Sequence, residues 1–135
     1  MKTVLTFGVF DFFHLGHLRL FKNIRKMVGE PCRLVVAVQA EECIHKYKPG
    51  AEILYSDAER REILESVKEV DEIAAYTFSD ETIDKMDFDV FAISVDQHAN
   101  PSFQRCLVWC EQNGKQVITI PYTDGICSSK IKKGL

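Results

Sequence analysis

The sequence predicts an α/β fold, a single domain built on a five-stranded parallel sheet with helices on both faces. Three observations predict it. Short runs that are apolar at every position alternate with longer segments whose apolar residues recur at helical spacing. The runs are continuous rather than alternating in polarity, the pattern of strands covered on both sides. The 135 residues are the size of one domain and contain no linker, repeat or low-complexity segment that would divide them.

The elements follow in order. Thr3–Phe7 is an apolar run that reads as the first strand. A turn rich in glycine and histidine follows, then helical spacing from Leu15 to Val28, stopped by Gly29 and Pro31. Leu34–Val38 is the second strand. Gln39 to Tyr55 is a long polar connection with a helical turn expected near Ala40–Ile44. Within it, Lys46-Tyr47-Lys48 is expected to be extended, which puts two cations on one side; a solvated basic loop tip is the competing reading. Ser56 and Glu59 form a capping-box pattern, opening a helix to about Val67 with Ile63, Leu64 and Val67 on one face. Glu72–Tyr76 is the third strand. Ser79 is expected to cap a brief helix through Met86, with Asp80 and Glu81 in its first turn. Val90–Ile93 is the fourth strand, and Asp96 and Gln97 lie just past its carboxyl end, where open parallel sheets place their ligands. Pro101 opens a helix that runs to about Gln112 and ends at Asn113-Gly114. Gln116–Ile120 is the fifth strand. Beyond it Gly125 allows a turn, and Ser128-Ser129 stand at an expected helix start, either as a plain cap or as a second phosphate-binding geometry.

Composition narrows the function. A net charge of −3 offers no global attraction for nucleic acid or for an anionic membrane. No apolar run approaches the length of a membrane span and no signal-peptide pattern is present, so a cytoplasmic protein is expected. Five cysteines, Cys32, Cys43, Cys106, Cys110 and Cys127, are an odd number in such a chain and are expected to be reduced. Cys106 and Cys110 share a helix face but have no further residues at metal-ligand spacing, so buried thiols are expected rather than a metal site.

The stretch Gly8-Val9-Phe10-Asp11-Phe12-Phe13-His14-Leu15-Gly16-His17 organises the chain. It is a strand-to-helix turn. A helix start presents unpaired N–H groups and a positive dipole end, which suits an anion such as phosphate. Gly8 and Gly16 lack side chains where a ligand would approach the backbone. His14 and His17 can donate from their rings, and protonation would add positive charge.

The string F-D-x-F-H-x-G-H resembles the signature of the HxGH nucleotidyltransferases, enzymes with a Rossmann-like domain. Two further blocks resemble the cytidylyltransferases among them: Glu59–Glu65 running into Val70-Asp71-Glu72-Ile73, and Thr123–Ser129, similar to that family's R-T-E-G-I-S-T-T. The small bacterial glycerol-3-phosphate cytidylyltransferases are the nearest pattern. The resemblance implies transfer of CMP from CTP to a small phosphorylated alcohol. A phosphate oxygen attacks the α-phosphorus in line and pyrophosphate leaves; Mg²⁺ accompanies the triphosphate and the enzyme is a homodimer. It implies His14, His17, Lys46 and Arg60 as catalytic residues. Gly8, Val9, Phe10, Gly16, His17, Asp96, Thr123, Gly125, Ile126, Ser128 and Ser129 would bind the nucleotide. Asp11, Lys46 and Lys48 would bind the acceptor.

The chain departs from the family at four places. Tyr122 and Lys68 stand where the family has arginines, Ser94-Val95-Asp96 replaces G-D-D, and Cys127 replaces the first serine of I-S-T-T. Lys68 keeps a charge without the bidentate fork, and Tyr122 keeps none. The changes fall on base and acceptor recognition. They leave two alternatives: an adenylyltransferase acting with ATP on a sugar phosphate or FMN, and a nucleotide-binding protein without catalysis.

Overall fold

The computed structural model describes residues 1–47, 50 and 52–121. Lys48 and the C-terminal motif, Tyr122 through Ser129, on which several expectations fall, lie outside them. The sheet has five parallel strands, β1 (Lys2–Gly8), β2 (Cys32–Gln39), β3 (Glu72–Tyr76), β4 (Val90–Ser94) and β5 (Gln116–Ile120). Their spatial order is β3-β2-β1-β4-β5. The direction of winding reverses between β1 and β4, and the carboxyl ends there are where such sheets hold ligands.

Each central strand divides its side chains between two cores. Val4, Val36, Val38, Val90 and Ala92 face one way and meet Phe21 and Ile24 of α1 (Leu15–Val28) and Leu64 of α3 (Asp57–Glu65). Leu5, Phe7, Ala37, Phe91 and Ile93 face the other way. There they meet Phe103, Cys106 and Cys110 of α5 (Pro101–Gln112) and Ile83, which follows the single turn α4 (Ser79–Thr82). Removing a side chain of this size from water stabilises by about 1.5–3 kcal/mol, so two covered faces explain why the strands are apolar throughout. Cys32, Cys43, Cys106 and Cys110 are buried free thiols, the burial being expected for Cys106 and Cys110. No helix among the described residues is long and apolar enough to cross a membrane.

Three local expectations are corrected. Glu41–Tyr47 forms a two-turn helix, α2, so Lys46 sits in a last helical turn rather than on an extended segment. Glu41 and Glu42 at its start and His45 and Lys46 at its end complement the helix dipole, which favours the helix over the loop. The helix opened by Ser56 stops at Glu65, two residues early, because Ser66 and Val67 bond back three residues to Ile63 and Leu64 and tighten the last turn. Ser79 does not cap; Phe78 occupies that position and Ser79 is buried inside the first turn. The capping box of Ser56 and Glu59 is present as predicted.

Candidate active site

The turn between β1 and α1 is held in an unusual backbone conformation. Phe10 and Phe12 have φ of 51° and 50°, the left-handed region that side chains disfavour. The Phe10 ring pays back some of that strain by packing edge-on against His17 at 5.3 Å and tilted on Phe21 at 5.4 Å. A Cβ at Gly8 would lie 2.6 Å from that ring. Gly8 therefore makes room for Phe10.

Both histidines of the motif cap α1. Gly16 N–H donates to His14 Nδ1 at 3.0 Å, and His14 N–H donates to His17 Nδ1 at 3.4 Å. The rings lie 4.0 Å apart and nearly parallel, and the Phe13 ring packs tilted against His17 at 5.5 Å. With each Nδ1 accepting, each ring carries its proton on Nε2. Burial lowers the pKa of His14, and burial followed by the neighbouring His14 pushes His17 down to about 3. Both rings are thus neutral at pH 7, so the positive charge that protonation would add is absent there. Each then has an Nε2–H to donate. His14 Nε2 is buried and has no partner among the described residues.

Arg60 is fully buried. Nη1 donates to the carbonyls of Val9 at 3.0 Å and Gln39 at 2.7 Å, and Nη2 donates to Asp57. It ties the carboxyl ends of β1 and β2 to the start of α3, where the resemblance implies a residue closing the site. Asp11 is also buried. Its two oxygens accept the N–H groups of Leu54 at 2.7 Å and Tyr55 at 2.9 Å and fasten the connection before α3 to the histidine turn. Lys46 and Asp96 are exposed, Lys46 at the end of α2 and Asp96 in the 3-10 turn after β4. Asp71 of the second resemblance block accepts from Leu34 N–H and Arg25 and serves the opposite end of the sheet.

A cavity of about 280 Å³ opens at the carboxyl ends of β1, β2 and β3, beside Gly8 and Val9. Gln39, Tyr76, Ser79, Gln97, Asn100 and Phe103 wall it, and no charged side chain does so among the described residues. Gln97 donates to Phe7 O at 2.9 Å and accepts from Ser94 N–H at 3.1 Å, which fixes the wall that follows β4. Gln39 donates to Thr77 O at 2.8 Å and fixes the opposite wall. Gln97 is legible in the sequence from its place after a strand. Ser79, read as a cap, and Asn100, which caps α5, are not.

No group of three His, Cys, Asp or Glu residues among the described residues could hold a metal ion.

A parallel sheet with a crevice at the carboxyl ends of its strands, and a buried N–H at a helix start with no partner among the described residues, fit an α/β protein of the nucleotide-handling class. Comparison with known proteins agrees. The profile of the Cytidylyltransferase-like family matches residues 5–134. The glycerol-3-phosphate cytidylyltransferase of Bacillus spizizenii is 32% identical over 139 aligned positions, covering 100% of this chain and 98% of that protein. The FAD synthase of Korarchaeum cryptofilum is 27% identical, covering 98% and 90%. Among solved structures, the lipopolysaccharide core biosynthesis protein of Thermoplasma volcanium superposes with a TM-score of 0.69 at 23% identity, covering 91% of this chain and 97% of that one. That likeness shows the shared fold. The chain belongs to the cytidylyltransferase-like family and is a nucleotidyltransferase.

Proposed function

We propose that the chain transfers CMP from CTP to a small phosphorylated alcohol. The observation that carries the reading is the Nε2 of His14, buried and without a partner among the described residues, beside His17 at the start of α1. A buried donor left unsatisfied costs about 1–3 kcal/mol, and a phosphate oxygen of the triphosphate satisfies it. The acceptor's phosphate oxygen forms a bond to the α-phosphorus while the bond to the bridging oxygen breaks, and pyrophosphate takes the electron pair. The attacking phosphate is already anionic, so positioning and donors matter more than a strong base. Lys46, at the open end of α2, supplies positive charge, and Mg²⁺ enters as part of the nucleotide. Asp96 and the C-terminal residues Thr123, Gly125, Ile126, Ser128 and Ser129 complete the nucleotide's surroundings in this reading. The uncharged cavity takes the alcohol end of the acceptor. Assembly as a homodimer, which the family resemblance implies, is checked by light scattering.

A second reading, transfer of AMP from ATP, is favoured by Tyr122 in place of the family arginine and by the FAD synthases among the relatives. The test is pyrophosphate release with CTP or ATP and Mg²⁺, using glycerol 3-phosphate, a longer polyol phosphate and FMN as acceptors. Release with CTP and a polyol phosphate supports the first reading. Release with ATP alone replaces it with the second. Nucleotide binding with no release from any pair favours a binding protein.

A further inference from the structure

Helix α2 has only two turns and begins after Ala40, a residue with no side chain to cap it. A helix so short has little stability of its own. Its first N–H, that of Glu41, donates instead to Oδ1 of Asp57, sixteen residues on, at 2.9 Å. The same oxygen accepts Nη2 of Arg60. Arg60 in turn holds the carbonyls of Val9, on the way into the histidine turn, and Gln39, at the end of β2. One carboxylate thus joins the starts of two helices to the ends of two strands, although its own side chain is half exposed.

We infer that Asp57 is a positioning residue for the phosphate site: it fixes the start of α2, and so the place of Lys46 at that helix's end, relative to the histidine turn. The inference rests on the reading of Lys46 as a phosphate contact. It makes a prediction opposite to simple electrostatics. Removing a negative charge near an anion site should tighten anion binding, whereas releasing α2 should weaken it.

The experiment measures binding of inorganic tripolyphosphate by calorimetry, which needs no knowledge of the base or the acceptor. Asp57→Ala is expected to weaken binding about fivefold to tenfold, the scale of a lost helix cap. Asp57→Asn, which keeps an acceptor oxygen, is expected to restore most of it. Glu41→Pro removes the donor from the other side while leaving Asp57 and Arg60 paired, and proline is tolerated at a first helical position. It is expected to match Asp57→Ala. In a Lys46→Ala background both losses should vanish, because a residue that acts through another is non-additive with it. An equal loss in both backgrounds, or Asp57→Ala binding as tightly as the parent, overturns the inference and leaves the reading of Lys46 in place. Lys46→Ala binding like the parent removes the phosphate role of Lys46 and the inference with it. No binding by the parent chain overturns the phosphate site itself.

Discussion

The imidazoles of His14 and His17 lie within 22° of parallel with their centroids 4.0 Å apart, and each directs Nδ1 at a backbone N–H. Burial lowers the pKa of His14, and burial followed by the nearby His14 lowers that of His17, so the pair does not stack as two cations. On the proposed reading, what the pair would offer a triphosphate is direction.

His17→Ala is expected to lower turnover about 10²–10³-fold, the usual cost of one well-placed donor to a developing negative charge. It also removes the acceptor for His14 N–H, which costs about 1 kcal/mol of stability. Steady-state rates of pyrophosphate release, set beside urea denaturation of both proteins, separate the two losses. Equal losses by the two measures would assign His17 to the fold alone.

The same ring makes stability depend on pH. In the unfolded chain a histidine titrates near 6.5, and in the fold His17 is pushed down to about 3. Between those values the unfolded chain holds the extra proton, so stability rises with pH. The contribution is complete above about pH 6.5 and is lost as the pH falls toward 3. Unfolding free energy should drop by about 2 kcal/mol from pH 7 to pH 5 on account of His17, and His17→Gln should flatten that slope. An unchanged slope in the variant would contradict the buried neutral ring.

Gly8→Ala places a methyl group 2.6 Å from two atoms of the Phe10 ring, which is itself buried against His17 and Phe21. A loss of about 1–3 kcal/mol is expected, the ordinary cost of forcing an extra carbon into a packed site. Thermal denaturation checks it. A variant as stable as the parent would mean that the ring has somewhere else to go.

Asp11→Ala leaves the N–H groups of Leu54 and Tyr55 without their carboxylate. About 1–3 kcal/mol should be lost. Hydrogen exchange at these two amides should accelerate more than at the strands; protection equal to the parent's would deny Asp11 its fastening role.

Much of this architecture is legible in the sequence, for physical reasons that vary by element. β2 and β4 are buried on both faces, so every residue from Leu34 to Val38 and from Val90 to Ile93 had to be apolar. Helix α1 carries a clear apolar stripe between a turn and Gly29, and its predicted span, Leu15–Val28, matches the observed one. The histidine pair is legible because its spacing matches a helix start. Arg60 is not legible as a buried residue. Charge and helical position suggest solvent, and only the fold reveals two carbonyls and a carboxylate converging on it. The helical place of Lys46 is hidden by the long polar connection around it, although Glu41, Glu42, His45 and Lys46 carry the dipole signature of a short helix. The neutrality of His14 and His17 needed the tertiary structure as well, since it comes from burial and, for His17, also from the nearby His14.

Nitrogen-15 spectra of the imidazoles test the central claim most directly. The chain has four histidines, so each ring can be assigned by substitution. At pH 7 His14 and His17 should both be neutral with the proton on Nε2, and tripolyphosphate should shift those two Nε2–H signals before any other ring responds. Doubly protonated rings in the free protein, or Nε2–H signals unmoved at saturating tripolyphosphate, would contradict it.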